Sequence, residues 1–275
     1  MSRRLLPLAV AATLTVALLP STPAVAAAGP PPSSIAVIGD SISRGFNACG
    51  WYSDCAAQSW STGDNTSVNS HYLRIRAKNG AISGRNFNVS KTGAKSDGLP
   101  GQAQAAANQR AAYVTILIGA NDACASSEAA MTPVATFRAR VDTALGTIKT
   151  AVPTAQVLIV SIPDVKRLWA VGKDSSSARS AWSLFGICKS MLANPTSTAA
   201  ADVARRDRVR QRVIDYNAQY AAACASYGTN CRFDGYALFN YPFALNQLST
   251  WDYFHPSSTG QRVIAQITYD SGFGW

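Results

Sequence analysis

The chain has 275 residues, 47% hydrophobic and 15% charged, with 25 Lys and Arg against 15 Asp and Glu, a formal net charge of +10. That length suits a single α/β domain, and no internal repeat or second linker is present to build a repeat array or a tandem of modules. The basic balance favours anionic partners such as phosphate head groups or acidic polymers, and says little about chemistry.

Met1-Ser2-Arg3-Arg4 leads into an apolar stretch from Leu5 to Leu19 and then Pro20-Ser21-Thr22-Pro23-Ala24-Val25-Ala26. A charged start, a short apolar middle and an Ala-x-Ala end predict a secretory signal peptide over 1–26, cleaved after Ala26. The apolar stretch is short for a spanning helix. The arginine pair leaves the general and the twin-arginine export routes both open. Residues 27–34, with Pro30-Pro31-Pro32, form an unstructured lead-in, and the folded domain occupies 35–275.

Ile35 to Ile38 is a short buried-strand candidate ending at Gly39, and Phe87-Asn88-Val89-Ser90 a weaker second one ending in Lys91-Thr92-Gly93-Ala94. Tyr113 to Ile118 is the clearest strand and runs straight into Gly119-Ala120-Asn121-Asp122. A helix follows, with Thr132 as cap and Pro133 in its first position; Val134, Phe137, Val141, Leu145 and Ile148 mark its buried face. Gln156 to Ser161 is the fourth strand, closed by Pro163. A long helix over about 198–226 buries Val209, Val213, Tyr216 and Tyr220, and turns Arg205, Arg206, Arg208, Arg210 and Arg212 to solvent. After His255-Pro256, Ser258 and Gln261 make a capping-box pattern for a last helix. Continuous apolar strands alternating with helices predict an α/β sandwich with a mostly parallel sheet.

Six cysteines in an exported chain predict three disulfides. Six allow 15 pairings; Cys49 with Cys55 and Cys224 with Cys231 each close a short loop, which leaves Cys124 with Cys188. A metal site is not expected, since there is no C-x-x-C and neither histidine is spaced from a cysteine like a zinc ligand.

Ligands of open parallel sheets gather at the carboxyl ends of the strands. There the sequence places Ser41, Gly93 and Asn121. Only two histidines occur. One, His255, stands three residues after Asp252 in Trp251-Asp252-Tyr253-Phe254-His255. A serine, a histidine that can take its proton, and a carboxylate that holds the ring are the parts of a nucleophilic ester hydrolase. Negative charge developing on the carbonyl oxygen needs donors already in place: the backbone N–H of Ser41, that of Gly93, and the side-chain amide of Asn121.

These blocks resemble the GDSL, or SGNH, hydrolase family. Gly39-Asp40-Ser41-Ile42 matches its first block with isoleucine for the usual leucine, and Gly93 its second, with Gly98 as a competitor. Gly119-Ala120-Asn121-Asp122 matches G-x-N-D, and Asp252-Tyr253-Phe254-His255 matches D-x-x-H. The resemblance implies a flavodoxin-like three-layer α/β/α sandwich and cofactor-free hydrolysis of carboxylic esters through an acyl-serine. Some relatives orient the histidine with a backbone carbonyl in place of a carboxylate such as Asp252. The exported, six-cysteine form is similar to the family's actinobacterial lipases and phospholipases. The expected substrate is therefore a lipid acyl ester, met by a secreted monomer in transient contact with lipid surfaces and without nucleic acid. The alternatives are a carbohydrate esterase removing acetyl groups and, from a different class, a non-catalytic lipid or glycan binder.

Residues outside the blocks have plainer readings. Asp40 and Asp122 are expected to bond loop N–H groups. His71 has no carboxylate near it in sequence and reads as a surface or packing histidine. Trp51, Tyr52, Trp60 and Trp251 suit either an acyl groove or the core.

Overall fold

The structure, a computed structural model, describes Met1 and residues 29–275; apart from Met1, the expected leader over 1–26 lies outside the described residues, as do positions 27 and 28 of the lead-in. In chain order the strands and helices are β1 (Ile35–Gly39), α1 (Ser41–Arg44), α2 (His71–Arg76), β2 (Asn86–Asn88), α3 (Leu99–Asn108), β3 (Tyr113–Leu117), α4 (Ala120–Ala123), α5 (Val134–Ala151) and β4 (Gln156–Ile159). They continue with α6 (Val165–Gly172), α7 (Ser176–Leu184), α8 (Lys189–Leu192), α9 (Ala200–Tyr227), β5 (Cys231–Phe233), α10 (Ala237–Asn240) and α11 (Ser258–Asp270). The five strands form one sheet in the order β2-β1-β3-β4-β5, every pair parallel.

Every residue of β1 and β3 is buried, because helices cover both faces of the sheet. On one face α3, α5 and α9 pack side by side, and the Tyr220 hydroxyl of α9 donates to the Ile118 carbonyl at 2.8 Å. On the other face α2 meets α11, where His71 Nε2 lies 2.8 Å from Thr268 Oγ1. The strand order reverses direction between β1 and β3. That reversal opens a crevice at the strands' carboxyl ends, where their loops diverge to opposite faces.

Several local expectations shift. The second strand is Asn86–Asn88, one residue earlier and shorter than its apolar residues suggested. The edge strand β5 was not foreseen: its three half-buried residues are too few to show a period. Pro133, in extended conformation, is itself the residue that precedes α5, and Thr132 lies one position further out. The Thr132 carbonyl instead receives the Tyr216 hydroxyl and Arg212 Nη1 of α9. Ser257, not Ser258, caps α11 by accepting from the Gly260 N–H. Gln261 therefore has no capping role. It is fully buried, accepts from the Trp60 N–H at 3.0 Å and donates to the Ile42 carbonyl at 2.8 Å.

The arginine stripe on α9 is not a free solvated face. Arg206 is buried, its guanidinium 4.4 Å from the centre of the Trp169 ring and bonded to the Ser197 carbonyl at 2.6 Å. Arg205 binds the Ser190 and Ala193 carbonyls, Arg208 pairs with Glu128 and Arg210 with Asp164. A planar guanidinium with five donors suits this stitching of loop carbonyls and carboxylates onto a helix.

Candidate active site

The first strand delivers a serine under tight constraint. Gly39 ends β1 where a β-carbon would collide with the Leu117 carbonyl of the neighbouring strand, so only glycine lets the strands stay in register there. Gln102 of α3 grips the same residue from both sides, accepting from its N–H at 2.6 Å and donating to its carbonyl at 2.9 Å. Asp40 follows as the N-cap of α1, its Oδ1 accepting from the Ile42 N–H at 2.9 Å, the local bond that short acidic side chains make at helix starts. Ser41 is thus the first residue of α1. Its N–H has no intrahelical acceptor by position.

Asp40 is fully enclosed, and its Oδ2 has no partner. Burial pushes its carboxyl up to about 7, against the hydrogen bond from Ile42 and the attraction of charged His255.

The last loop brings the other two groups to the serine. His255 Nε2 lies 2.8 Å from Ser41 Oγ, and His255 Nδ1 lies 2.5 Å from Asp252 Oδ2. The loop is pinned at its base, with the Ser249 N–H bonded to the His255 carbonyl and the Tyr253 N–H to the Ser249 carbonyl, both at 2.8 Å. Asp252 is nearly inaccessible and holds four donors. Oδ1 accepts from the N–H groups of Phe254 and His255 at 2.9 and 3.0 Å, and Oδ2 from Asn47 Nδ2 at 2.6 Å as well as from the ring. Burial alone would raise its carboxyl. The hydrogen bond and charge of His255, with the two N–H donors, outweigh it and hold the group below the usual carboxylate range. Because Nδ1–H donates its hydrogen bond to the carboxylate, Nε2 is left as the acceptor that faces the serine hydroxyl. That arrangement can raise the nucleophilicity of Ser41 at neutral pH.

Asn121 stands in α4, directly after β3, and its Nδ2 donates to the Ala94 carbonyl at 3.0 Å. One bond therefore ties the loop after β3 to the glycine loop after β2. Gly93, with φ +77, sits in that second loop with open space around its α-carbon, and the Lys91 N–H of the same loop is anchored on the Gly39 carbonyl at 3.1 Å. Asp122 is buried and accepts from both the N–H and the hydroxyl of Ser96 at 2.9 and 2.6 Å. It braces the approach to α3, as Asp40 braces α1.

The GDSL-like lipase/acylhydrolase family model matches residues 35–268. The chain belongs to this family. This GDSL hydrolase is a carboxylic-ester hydrolase, and its parallel sheet is the fold of that group. Among solved structures it resembles an extracellular lipase from Streptomyces rimosus, with 18% identity and a TM-score of 0.51 over 86% of this chain and 99% of that one. It also resembles a catalytic mutant of an acetylxylan esterase from Geobacillus stearothermophilus, with 13% identity and a TM-score of 0.54 over 91% and 97% of the two chains. At such identities the likeness concerns the fold. No curated protein sequence matches the chain.

An apolar slot opens beside Ser41 of the GDSL hydrolase. Ile42, Ala120, Phe254 and Pro256, the chain neighbours of Ser41, Asn121 and His255, form its near end, and Val165, Leu168 and Val171 of α6 with Phe243 and Leu248 its walls. Three supporting residues were not legible as such in the sequence: Asn47 behind Asp252 and Gln102 on Gly39 carry no local pattern, Gln261 beneath Ile42 carries a capping pattern it does not use, and the partners of all three lie more than 60 positions away. Of the undecided residues, Trp60 is core, while Trp51, Tyr52 and Trp251 are exposed. His71 is buried 2.8 Å from Thr268 Oγ1, away from the slot's lining.

The three cystines are Cys49–Cys55, Cys124–Cys188 and Cys224–Cys231. The second ties the chain just after α4 to the start of α8. No described helix is long and apolar enough to cross a membrane.

Proposed function

We propose that this protein is an exported serine hydrolase of lipid acyl esters. Ser41 Oγ attacks the ester carbonyl while His255 Nε2 takes its proton, and Asp252 holds the ring and balances its charge. The N–H groups of Ser41 and Gly93 and the free N–H of the Asn121 amide receive the developing oxyanion; each such donor is worth on the order of 3 kcal/mol in the barrier. His255 then protonates the departing alcohol, leaving an acyl-Ser41 ester, and passes through the same cycle with water to release the acid. Export is favoured by the leader pattern over 1–26 and by three cystines, which persist in oxidising compartments.

The observation that carries the lipid reading is the slot itself. An acetyl group ends one carbon past the carbonyl, yet the apolar wall continues from Ile42 to Leu168 and Val171. Its lining is almost wholly hydrocarbon, with only Asp164 bearing a polar side chain, and it lacks the convergent hydrogen-bonding groups with which a sugar is held.

Rates on p-nitrophenyl esters of increasing acyl length test this reading. The rate constant kcat/KM should climb from acetate through the medium chains, by roughly fourfold per methylene buried at about 0.8 kcal/mol each, and Ser41→Ala should remove the activity. A maximum at acetate would transfer the protein to deacetylation of glycans. Turnover surviving in purified Ser41→Ala would refute the mechanism.

A further inference from the structure

Apart from Met1 and Val203, the exposed large apolar side chains among the described residues are Trp51, Tyr52, Leu184, Phe185 and Trp251. They are not scattered. The Tyr52 and Phe185 rings stack with centroids 5.4 Å apart. Leu184, Phe185 and Trp251 line one open groove together with Tyr253, and Trp51 adjoins Tyr52 on the loop that the Cys49–Cys55 bridge closes. Three separate segments thus converge: a stapled loop after α1, the end of α7, and the loop that carries Asp252 and His255. Single exposed apolar residues are normal on a soluble protein, but a contiguous cluster marks a contact surface.

The cluster runs up to the reacting groups. Phe46 packs edge-on against His255 with centroids 4.9 Å apart and against Tyr52 at 5.1 Å, so an unbroken aromatic file leads from the imidazole to the open surface. Its mounting is rigid. The Trp182 indole of α7 donates to the Tyr253 carbonyl at 3.0 Å, which fixes α7 to the histidine loop. The side chain of Lys189 lies against Gly186, next to Phe185, and sets a cation at the cluster's edge.

We propose that this cluster is a lipid-docking surface, which seats the enzyme on a lipid–water interface with the Ser41–His255 mouth facing the lipid. The proposal rests on the lipid-ester reading of that site. The position of the cluster selects the occupant: Phe46 joins it directly to His255, so a second protein copy or a folded partner bound there would stand over the reacting groups, whereas a lipid surface supplies substrate to them. The composition agrees, since tryptophan and tyrosine settle at the head-group level with their rings in the acyl boundary, and a flanking lysine meets lipid phosphate.

The test uses Leu184→Ser combined with Trp51→Ser, two exposed positions outside the slot, and vesicles of ether-linked phosphatidylcholine, whose chains cannot be hydrolysed. The wild-type enzyme should co-sediment with these vesicles and its tryptophan emission should shift to the blue. The double variant should bind at least about tenfold more weakly, given the apolar area removed. Its rate on vesicles of ordinary phosphatidylcholine should fall in step, while its rate on a dissolved short-chain ester stays within about twofold, since no catalytic contact is touched. Failure of the wild type to bind, equal binding by the double variant, or a dimer that the double variant breaks apart would overturn the proposal. Binding to ether lipid without hydrolysis of any lipid ester would leave docking standing and remove the substrate reading instead.

Discussion

Asn47 supports the reacting groups from behind without touching Ser41 or His255. Its backbone has φ +62, a conformation asparagine tolerates better than most residues, and that turn aims Nδ2 at Asp252 Oδ2, 2.6 Å away. Asp252 could instead have been a loop residue, with a backbone carbonyl holding the ring. Its four donors and lowered carboxyl make it the ring's partner in this fold. Asn47→Gly removes the amide while suiting the positive φ, so backbone strain does not confuse the outcome. A donor lost to a buried carboxylate is worth about 1.5–3 kcal/mol. If most of that is expressed in the orientation of His255, kcat should drop about tenfold or more with KM nearly unchanged. Steady-state kinetics on a soluble ester measure the split, and an unchanged kcat would show that Asp252 needs no third group.

The strands and the blocks at their ends were readable because each rests on local chemistry. Ile35–Gly39 and Tyr113–Leu117 are continuous apolar runs that stop at glycine, and the polar residues after them fall where a parallel sheet presents its ligand crevice. Elements set by distant partners were not readable. β5 exists because Val157–Ile159 offers it an edge, and Gln261 matches a capping box although Trp60 and Ile42 claim its amide. Likewise, Arg206 looks like the other arginines of its helix in sequence, and only the distant Trp169 ring and Ser197 carbonyl make it the buried one. The cystines matter at this same scale. Cys124–Cys188 spans 64 residues and anchors the segment just beyond Asn121 to α8, whereas Cys49–Cys55 spans 6. Chain-entropy arguments assign about 4 kcal/mol to the longer loop and about 2 to the shorter. Replacing both Cys124 and Cys188 by serine should therefore lower the unfolding free energy by about twice as much as the same change at Cys49 and Cys55. Urea titrations of the two variants compare them; equal losses would mean that the long bridge does not constrain the unfolded chain.

Across the whole molecule, two enclosed titratable groups pull the pH dependence of stability in opposite directions. His71 is buried between the helices and the sheet, with Nδ1 3.1 Å from the Tyr113 hydroxyl and Nε2 2.8 Å from Thr268. Thr268 spends its own proton on the Ile264 carbonyl, so Nε2 must donate and Nδ1 must accept. The pocket thus fits the neutral ring, and burial, aided by the charge of Arg74, lowers its pKa from 6.5 to about 3. The unfolded chain takes up this proton below 6.5 and the native chain does not. The stability His71 contributes is therefore complete above that pH and is lost as the pH falls toward 3, a change of about 4–5 kcal/mol. Asp40 behaves in reverse. With its carboxyl raised from 3.8 to about 7, the native state holds a proton that the unfolded state has released, so its contribution is complete below 3.8 and is lost as the pH rises through 7. Between about 4 and 6.5 the two slopes cancel, each near 1.4 kcal/mol per pH unit. His71→Gln, which can offer one donor and one acceptor to the same partners, leaves the Asp40 slope unopposed. The stability difference between wild type and this variant should then grow in favour of the wild type by about 1.4 kcal/mol for each pH unit from 4 to 6.5. Urea unfolding at a series of pH values measures that difference directly, with all other titrating groups common to both proteins. A difference that stays flat across the window would mean that His71 carries its proton inside the fold.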